Sequence, residues 1–242
     1  MPLNEDLDEL VRIGTAATGE PGLARLADYC VHRGNGLRKV ATADMAAFLE
    51  ETAAWALEDR LRAARWVLAQ VKGLRNPQLL ISAPLILQLL DPVLREWVAN
   101  APDSAEAHYL AALWCLPPED GKPPHRLYFL RRAIALDPRH DAARTQFVRW
   151  RTGSVDYNQH ELPRGYLEDV AMDLADLKEA RDYADGVGDP QLRQALLDEI
   201  GEYQEIAAEY RAFRKAGTVP DFASWCLGRG VLPHFHRWAG SA

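Results

Sequence analysis

The sequence predicts an all-α protein built from antiparallel helical hairpins. Alanine, leucine, arginine and acidic residues dominate, while β-branched residues are sparse, and unbranched side chains favour helices over strands. Apolar residues recur at helical spacing, and prolines and glycines separate these segments. The 242 residues are long enough for a sizeable core. We expect a single domain over residues 1–242, with N-terminal helices in 1–90, central hairpins in 91–151, and an acidic hairpin and aromatic tail in 165–242.

Two features define the helices near the N-terminus. The segment "EPGLARLADYCVHRGNG" predicts a helix that begins near Pro21 and ends at Gly34 and Gly36, because Pro suits the first helical turn and Gly suits a helix end. From Thr42 to Lys72 the chain has neither Pro nor Gly. This stretch predicts one long helix or two nearly continuous ones.

The most apolar run of the chain is "LLISAPLILQLL", at residues 79–90. It is too short to span a bilayer, so we expect a helix or helix pair that is buried on all sides. Asp91–Pro92 follows this run, and Asp189–Pro190 occurs later. Because an N-cap residue is often followed by Pro at the first helical position, each dipeptide predicts the start of a helix.

A pattern of helix, proline turn and helix recurs in the centre of the chain with an offset of 36 residues. "PVLREWVANAPDSAEA" (92–107) aligns with "YFLRRAIALDPRHDAA" (128–143), and further along Trp114 falls on Trp150. A period in the twenties to forties is typical of stacked helical hairpins, in which each unit covers the apolar face of its neighbour.

This central segment resembles the tetratricopeptide repeat family over residues 92–151. The positions that match the two helices of its pattern are Ala107, Leu110, Ala111, Trp114, Leu130, Ala133 and Pro138. Arg126 departs from the pattern, because the family usually has a small alanine there. The resemblance implies hairpins stacked in a right-handed array, with extra N- and C-terminal helices. It also implies a binding surface for a protein or peptide along the first helices of the repeats.

Three residues are the predicted partner-binding positions. His108 and Arg144 occupy equivalent places in the two copies. Arg151 lies about two turns further along the helix, on the same side as Arg144. The alternative is that all three are ordinary surface or capping residues.

The C-terminal part predicts a loop, a hairpin and a tail. The sequence "TGSVDYNQHELPRG", after Arg151, is rich in turn formers and predicts the loop. Helical segments at 166–185 and 190–215 predict an antiparallel hairpin. Its outer faces are expected to be acidic, through Asp169, Asp173, Asp176, Glu179 and Asp182 on one helix and Asp198, Glu199, Glu202, Glu205 and Glu209 on the other. The aromatic tail is expected to fold back on the body.

Cys226, His234 and His236 are the strongest candidate metal ligands, because zinc is bound by Cys and His side chains at short spacings. No second Cys or acidic ligand is near them in sequence, so an aromatic tail without metal is the alternative. "HEL" at 160–162 begins like the HExxH zinc motif, but Arg164 replaces the second histidine. We therefore expect no cofactor.

Charge and cysteine content narrow the class of protein. A net charge of −7 argues against general nucleic-acid binding, which needs a basic surface. Arg60, Arg62 and Arg65 lie among acidic residues, which predicts internal ion pairs. Three cysteines without a CxxC pair, together with an N-terminus that lacks a signal-peptide core, predict a cytoplasmic location and no membrane association.

The leading hypothesis is a non-enzymatic protein–protein interaction module, acting as a scaffold or adaptor. One alternative is a bacterial immunity or antitoxin-like protein, whose acidic hairpin would bind a basic partner. Another is a metal-binding helical enzyme that uses the Cys226, His234 and His236 cluster. Because the sequence holds one complete repeat, a second copy that covers its exposed ends is a further expectation, which would make the protein a homodimer.

Overall fold

The computed structural model describes residues 2–117, 126–217 and 221–231, with side chains from Glu5 onward. These residues are helical or lie in turns, and none of them forms a strand, so the all-α prediction is confirmed. The stacking of hairpins in a right-handed array stays a prediction. Contacts divide the chain into two compact units, residues 1–129 and residues 130–242.

Unit 1, residues 1–129, is formed mainly by seven successive helices within its described part. They are α1 (Pro2–Ala17), α2 (Ala24–Gly34), α3 (Arg38–Ala53), α4 (Leu57–Gln70), α5 (Ala83–Leu85), α6 (Asp91–Asn100) and α7 (Ala105–Trp114). A further helix, α8 (Arg126–Leu136), contains the boundary between the units. Helix α2 packs between α1 and α3, and α6 packs against α4 and α7. The predicted stretch from Thr42 to Lys72 is therefore two helices, joined near Trp55.

Helices α1 and α2 approach each other closely at two glycines. A methyl group on Gly34 would lie 2.7 Å from the Leu7 carbonyl oxygen and 2.5 Å from a Val11 methyl group. A methyl group on Gly14 would lie 2.8 Å from the Ala27 carbonyl oxygen. Backbone atoms cannot move aside as a flexible side chain can, so both positions require glycine for this helix pair to pack as it does.

Helix α6 begins at Asp91, as the Asp91–Pro92 dipeptide predicts, but the chain before it is already helical and Asp91 is not its N-cap. Helix α5 runs into a π-helical turn, Ile86–Leu90, which continues directly into α6. Pro92 has no N–H to donate to the carbonyl four residues earlier, and a wider turn accommodates this missing hydrogen bond. The Asp91 carboxylate instead accepts hydrogen bonds from the Leu116 amide, at 2.8 Å, and from the Arg95 guanidinium.

The apolar run 79–90 is also more exposed than predicted. Leu85, Leu89 and Leu90 are fully buried, but Leu87 is 59% exposed. The π-helical turn widens the helix here, so the apolar residues of the run do not all face the core.

Unit 2, residues 130–242, is formed mainly by four helices that follow α8. They are α9 (Asp141–Gln159), α10 (Val170–Asp185), α11 (Pro190–Ala216) and α12 (Phe222–Arg229). The predicted hairpin is confirmed as α10 and α11, which pack against each other and against α9. Asp189 caps α11 as predicted, because its carboxylate accepts from the amides of Gln191 and Leu192. Within the described part of the aromatic tail, α12 packs against α11, as expected, and its Phe222 and Cys226 lie against Leu162, Ile206 and Tyr210.

The loop predicted after Arg151 is wrong in its first half, because α9 continues to Gln159. Val155 belongs to a buried cluster with Val148 of α9, Leu177 of α10 and Ile200 of α11. Burial of this face outweighs the weak helix propensity of the Gly and Ser residues beside it.

The acidic faces of the hairpin are also partly wrong. Asp173 is only 3% exposed, and Asp176 and Glu179 form ion pairs with Arg151. On α11, Glu209 pairs with Arg229 and accepts a hydrogen bond from the Trp225 indole at 2.8 Å. Several of the predicted surface charges therefore hold unit 2 together.

Candidate functional site

His108, the first predicted partner-binding residue, is buried in α7 of unit 1 and is 3% exposed. Its Nε2 lies 2.9 Å from the Pro102 carbonyl oxygen, so this nitrogen carries the proton and donates it. Its Nδ1 is buried and has no hydrogen-bond partner among the described residues. The ring closes the turn between α6 and α7.

Arg144 lies in unit 2, near the start of α9. Its guanidinium donates to the Pro138 carbonyl at 2.9 Å and to the Tyr183 carbonyl, at the end of α10, at 3.3 Å. One turn away, the Asp141 carboxylate accepts from the Gly188 amide at 3.0 Å. A methyl group on Gly186 would overlap the Arg144 guanidinium. The Arg144 guanidinium, which was predicted to contact a partner, therefore holds together the turn before α9 and the turn after α10.

Arg151 lies two turns further along α9, as predicted, and is 15% exposed at its side chain. It donates to Asp176 at 2.6 Å and to Glu179 at 2.7 Å, and its guanidinium lies over the Phe147 ring. Burial tends to raise the pKa of Glu179, but Arg151 and Arg131 together lower it. For Asp176, burial dominates and raises the pKa despite Arg151. Arg151 and Arg144 thus contact different groups within unit 2, and His108 belongs to unit 1.

Cys226, the described member of the candidate metal site, is 1% exposed on α12. Burial raises the pKa of its thiol to about 11, and Glu209 adds to this effect. Zinc binds the thiolate, so this environment disfavours the form of cysteine that a metal needs. His234 and His236 lie outside the described residues. Within those residues, no three His, Cys, Asp or Glu side chains are grouped as a metal site requires.

A buried polar network joins α9 to α10 at Asp173. Its carboxylate accepts from the Tyr166 hydroxyl at 2.6 Å and from the Asn158 amide at 2.9 Å. Gln159 donates to the Tyr166 hydroxyl and to the Tyr203 carbonyl. Burial raises the pKa of Tyr166 and of Asp173. Because each of these polar groups is paired within unit 2, the network orders the chain between α9 and α10.

An open groove runs along one face of α3 in unit 1. Its α3 lining follows helical spacing from Arg38 to Glu50, through Ala41, Thr42, Met45, Ala46 and Leu49. The twelve steps from Arg38 to Glu50 correspond to a helix length of about 18 Å. The groove has a volume of about 470 Å³. We call it the α3 groove.

The floor and the wall of the α3 groove differ in polarity. Met45 and Leu49 are buried beneath it and give an apolar floor. Segment 78–88 supplies the wall, with Gln78, Ser82 and Gln88 among its residues. The Ser82 hydroxyl oxygen is buried and has no hydrogen-bond partner among the described residues.

Two arginines stand where α2 turns into α3. Arg33 lies in the last turn of α2, Arg38 begins α3, and both line the groove. Within the part of the chain that the structure describes, neither guanidinium forms an ion pair or a hydrogen bond. Arg60, Arg62 and Arg65 differ, because their predicted internal ion pairs are confirmed, at 2.9, 2.7 and 2.8 Å. Glu50, at the opposite end of the α3 lining, is likewise unpaired among those residues.

Sequence reasoning missed the α3 groove. Its lining comes from α2, α3 and segment 78–88, which are far apart in sequence. One signal was present: Pro84 and Gln88 interrupt the apolar run, and both line the groove.

No known protein family, curated protein or solved structure matches this chain. No helix in the described ranges has the length and hydrophobicity that a membrane span requires.

Proposed function

We propose that the protein is a non-enzymatic protein–protein interaction module that holds a segment of its partner in the α3 groove. The observation that carries this proposal is an open groove with an apolar floor, at whose one end two guanidinium groups have no anionic partner in the described chain. Other arginines of this chain are paired with carboxylates, as at Arg65 and Arg151. Arginines left free beside an apolar cleft are typical of a recognition surface.

The size of the α3 groove supports the same proposal. Its volume of about 470 Å³ falls within the range of specific binding pockets. Ala46 and Thr42 are exposed and small, so α3 leaves room above Met45 and Leu49. A ligand in the groove covers the exposed apolar atoms of Thr42, Ala46 and Pro84 and removes them from water, which favours binding.

The alternative of a basic partner at the acidic hairpin has less support. Asp176 and Glu179 are engaged by Arg151, and Asp173 is buried. Their charges are compensated inside unit 2 and contribute little attraction to an external cation.

The test is a pair of tryptophan variants on α3. Ala46→Trp places a large ring in the α3 groove, whereas Ala43→Trp places the same ring on an exposed position of the same helix outside it. Tagged wild type, A46W and A43W are used to capture proteins from lysate of the native host, with quantitative mass spectrometry as the readout. We expect wild type and A43W to retain the same partner and A46W to lose it. Equal retention by all three, with equal circular dichroism spectra, would contradict the proposal.

A further inference from the structure

We infer that the occupant of the α3 groove is an extended peptide segment whose Asp or Glu carboxylate binds between Arg33 and Arg38. This inference rests on the proposed function and adds the conformation and the chemistry of the partner segment. It is supported by the dimensions of the groove, by the polarity of its wall and by the charge at one end.

The length of the α3 groove suits a short extended segment. Its α3 lining extends over about 18 Å. An extended chain advances about 3.3 Å per residue, and roughly five residues therefore span the groove.

The wall of the groove favours a peptide over a hydrocarbon ligand. Gln78 and Gln88 are exposed and offer amide donors and acceptors. A hydrocarbon chain would cover these groups without pairing them, which costs free energy. The backbone N–H and C=O groups of an extended peptide pair with such side chains, while alternate peptide side chains reach the apolar floor over Met45 and Leu49.

The charge at the α2–α3 turn favours a carboxylate on that peptide. Arg33 and Arg38 flank the short connection between the two helices, and the guanidinium of each can form a bidentate hydrogen bond to a carboxylate. The first turn of α3 has no acidic residue, and its N-cap residue, Leu37, forms no side-chain capping bond. The partial positive charge of the α3 N-terminus therefore adds to the attraction of the two guanidinium groups.

The experiment selects short random peptides displayed on phage against the full-length protein, with counter-selection on A46W. A selected sequence is then synthesised with fluorescein, and its affinity is measured by fluorescence anisotropy. The variants are Arg33→Gln/Arg38→Gln and, as a matched control, Lys39→Gln, which removes a neighbouring exposed charge that does not line the groove. Octanoate is titrated in parallel as a carboxylate without a peptide backbone.

We expect the selected peptides to share an Asp or Glu at one position with apolar residues near it. Loss of two charge-assisted contacts should weaken binding of the chosen peptide by about tenfold or more in R33Q/R38Q, while K39Q stays within about twofold. Selected peptides without a common acid, or equal affinity for both variants, would overturn the carboxylate assignment. Octanoate binding that A46W abolishes, with no selected peptide, would overturn the peptide assignment in favour of a small amphiphile.

The two proposals fail in different ways. If no peptide is selected but the lysate experiment still shows a partner that A46W loses, the interaction function stands and the extended-peptide inference is wrong. If the partner is retained by A46W, the groove is not the interaction surface and the proposed function itself is contradicted.

Discussion

His108 and Arg144 make the same hydrogen bond in two different turns. Each side chain donates to the carbonyl of the proline six residues before it, from His108 to Pro102 and from Arg144 to Pro138, and both distances are 2.9 Å. The helices that follow these turns, α7 and α9, are also capped in the same way. Ser104 accepts from the Ala107 amide, and His140 accepts from the Ala143 amide. The 36-residue recurrence therefore preserves the closure of a helix–turn–helix junction.

We predict that Arg144→Met destabilises unit 2. The substitution keeps an apolar stem but removes the bonds to the Pro138 and Tyr183 carbonyls, so we expect a loss of about 2 kcal/mol in the free energy of unfolding. Urea denaturation measures this loss, and hydrogen exchange should be faster at both turns. Arg149→Met is the control, because Arg149 is exposed on the same helix. Equal stability of the two variants would show that Arg144 does not fasten these turns.

The sequence could predict this junction but not the role of its side chains. The prolines at 102 and 138 determine a local turn, and their 36-residue spacing shows that the turn recurs. Whether His108 faces solvent depends on how α7 packs in unit 1, and the alignment of two segments contains no such information. His108 and Arg144 make matching bonds, and their use as a binding surface stays a prediction.

Two identical Asp–Pro dipeptides show that a local sequence signal does not by itself determine where the helical stretch begins. Asp189–Pro190 begins α11, whereas Asp91–Pro92 lies inside a continuous helical stretch. Before Asp189 the chain has Gly186 and Gly188, which end α10, while before Asp91 it has an unbroken apolar run. Burial of Leu85, Leu89 and Leu90 favours continuation of the helix through the proline. The α3 groove was unpredictable for a related reason, since only packing brings α2, α3 and segment 78–88 together.

We predict that the three cysteines are unreactive in the folded protein. Cys30, Cys115 and Cys226 are buried, and burial is the main cause that raises their thiol pKa values to about 12, 12 and 11. Iodoacetamide at about pH 8 attacks the thiolate, which is scarce under these conditions. Intact mass spectrometry should show no labelling of the native protein and three labels in guanidinium. Rapid labelling of Cys226 alone would mean that α12 leaves α11 in solution.

We predict that Gly34→Ala destabilises unit 1 by about 2 kcal/mol, because the added methyl group has no space in a packed interface. Its nearest fixed neighbour is the Leu7 carbonyl oxygen at 2.7 Å, so α1 and α2 must separate. Gly19→Ala is the control, since a methyl group there meets nothing within 4 Å. Thermal unfolding followed by circular dichroism compares the two. A G34A midpoint equal to that of G19A would contradict the close approach of the helices.

We predict that Asp173 makes the stability of unit 2 depend on pH. Burial disfavours the charged carboxylate, and the hydrogen bonds from Tyr166 and Asn158 offset only part of this effect, so the pKa of Asp173 in the folded protein is raised above 3.8. The folded state therefore holds this proton to a higher pH than the unfolded state. Its contribution to stability is present at low pH and is lost as the pH rises from 3.8 through the folded-state pKa.

Asp173→Asn removes this titration and keeps the size of the side chain. The free energy of unfolding of D173N minus that of wild type should increase from about pH 4 to about pH 7, because only the wild type loses stability by ionising Asp173. Urea denaturation at several pH values measures the difference, in which the contributions of the other acids largely cancel. Asp182→Asn, on the exposed side of α10, is the matched control. A difference that is flat with pH, or that decreases, would show that the network around Asp173 stabilises the carboxylate rather than the carboxylic acid.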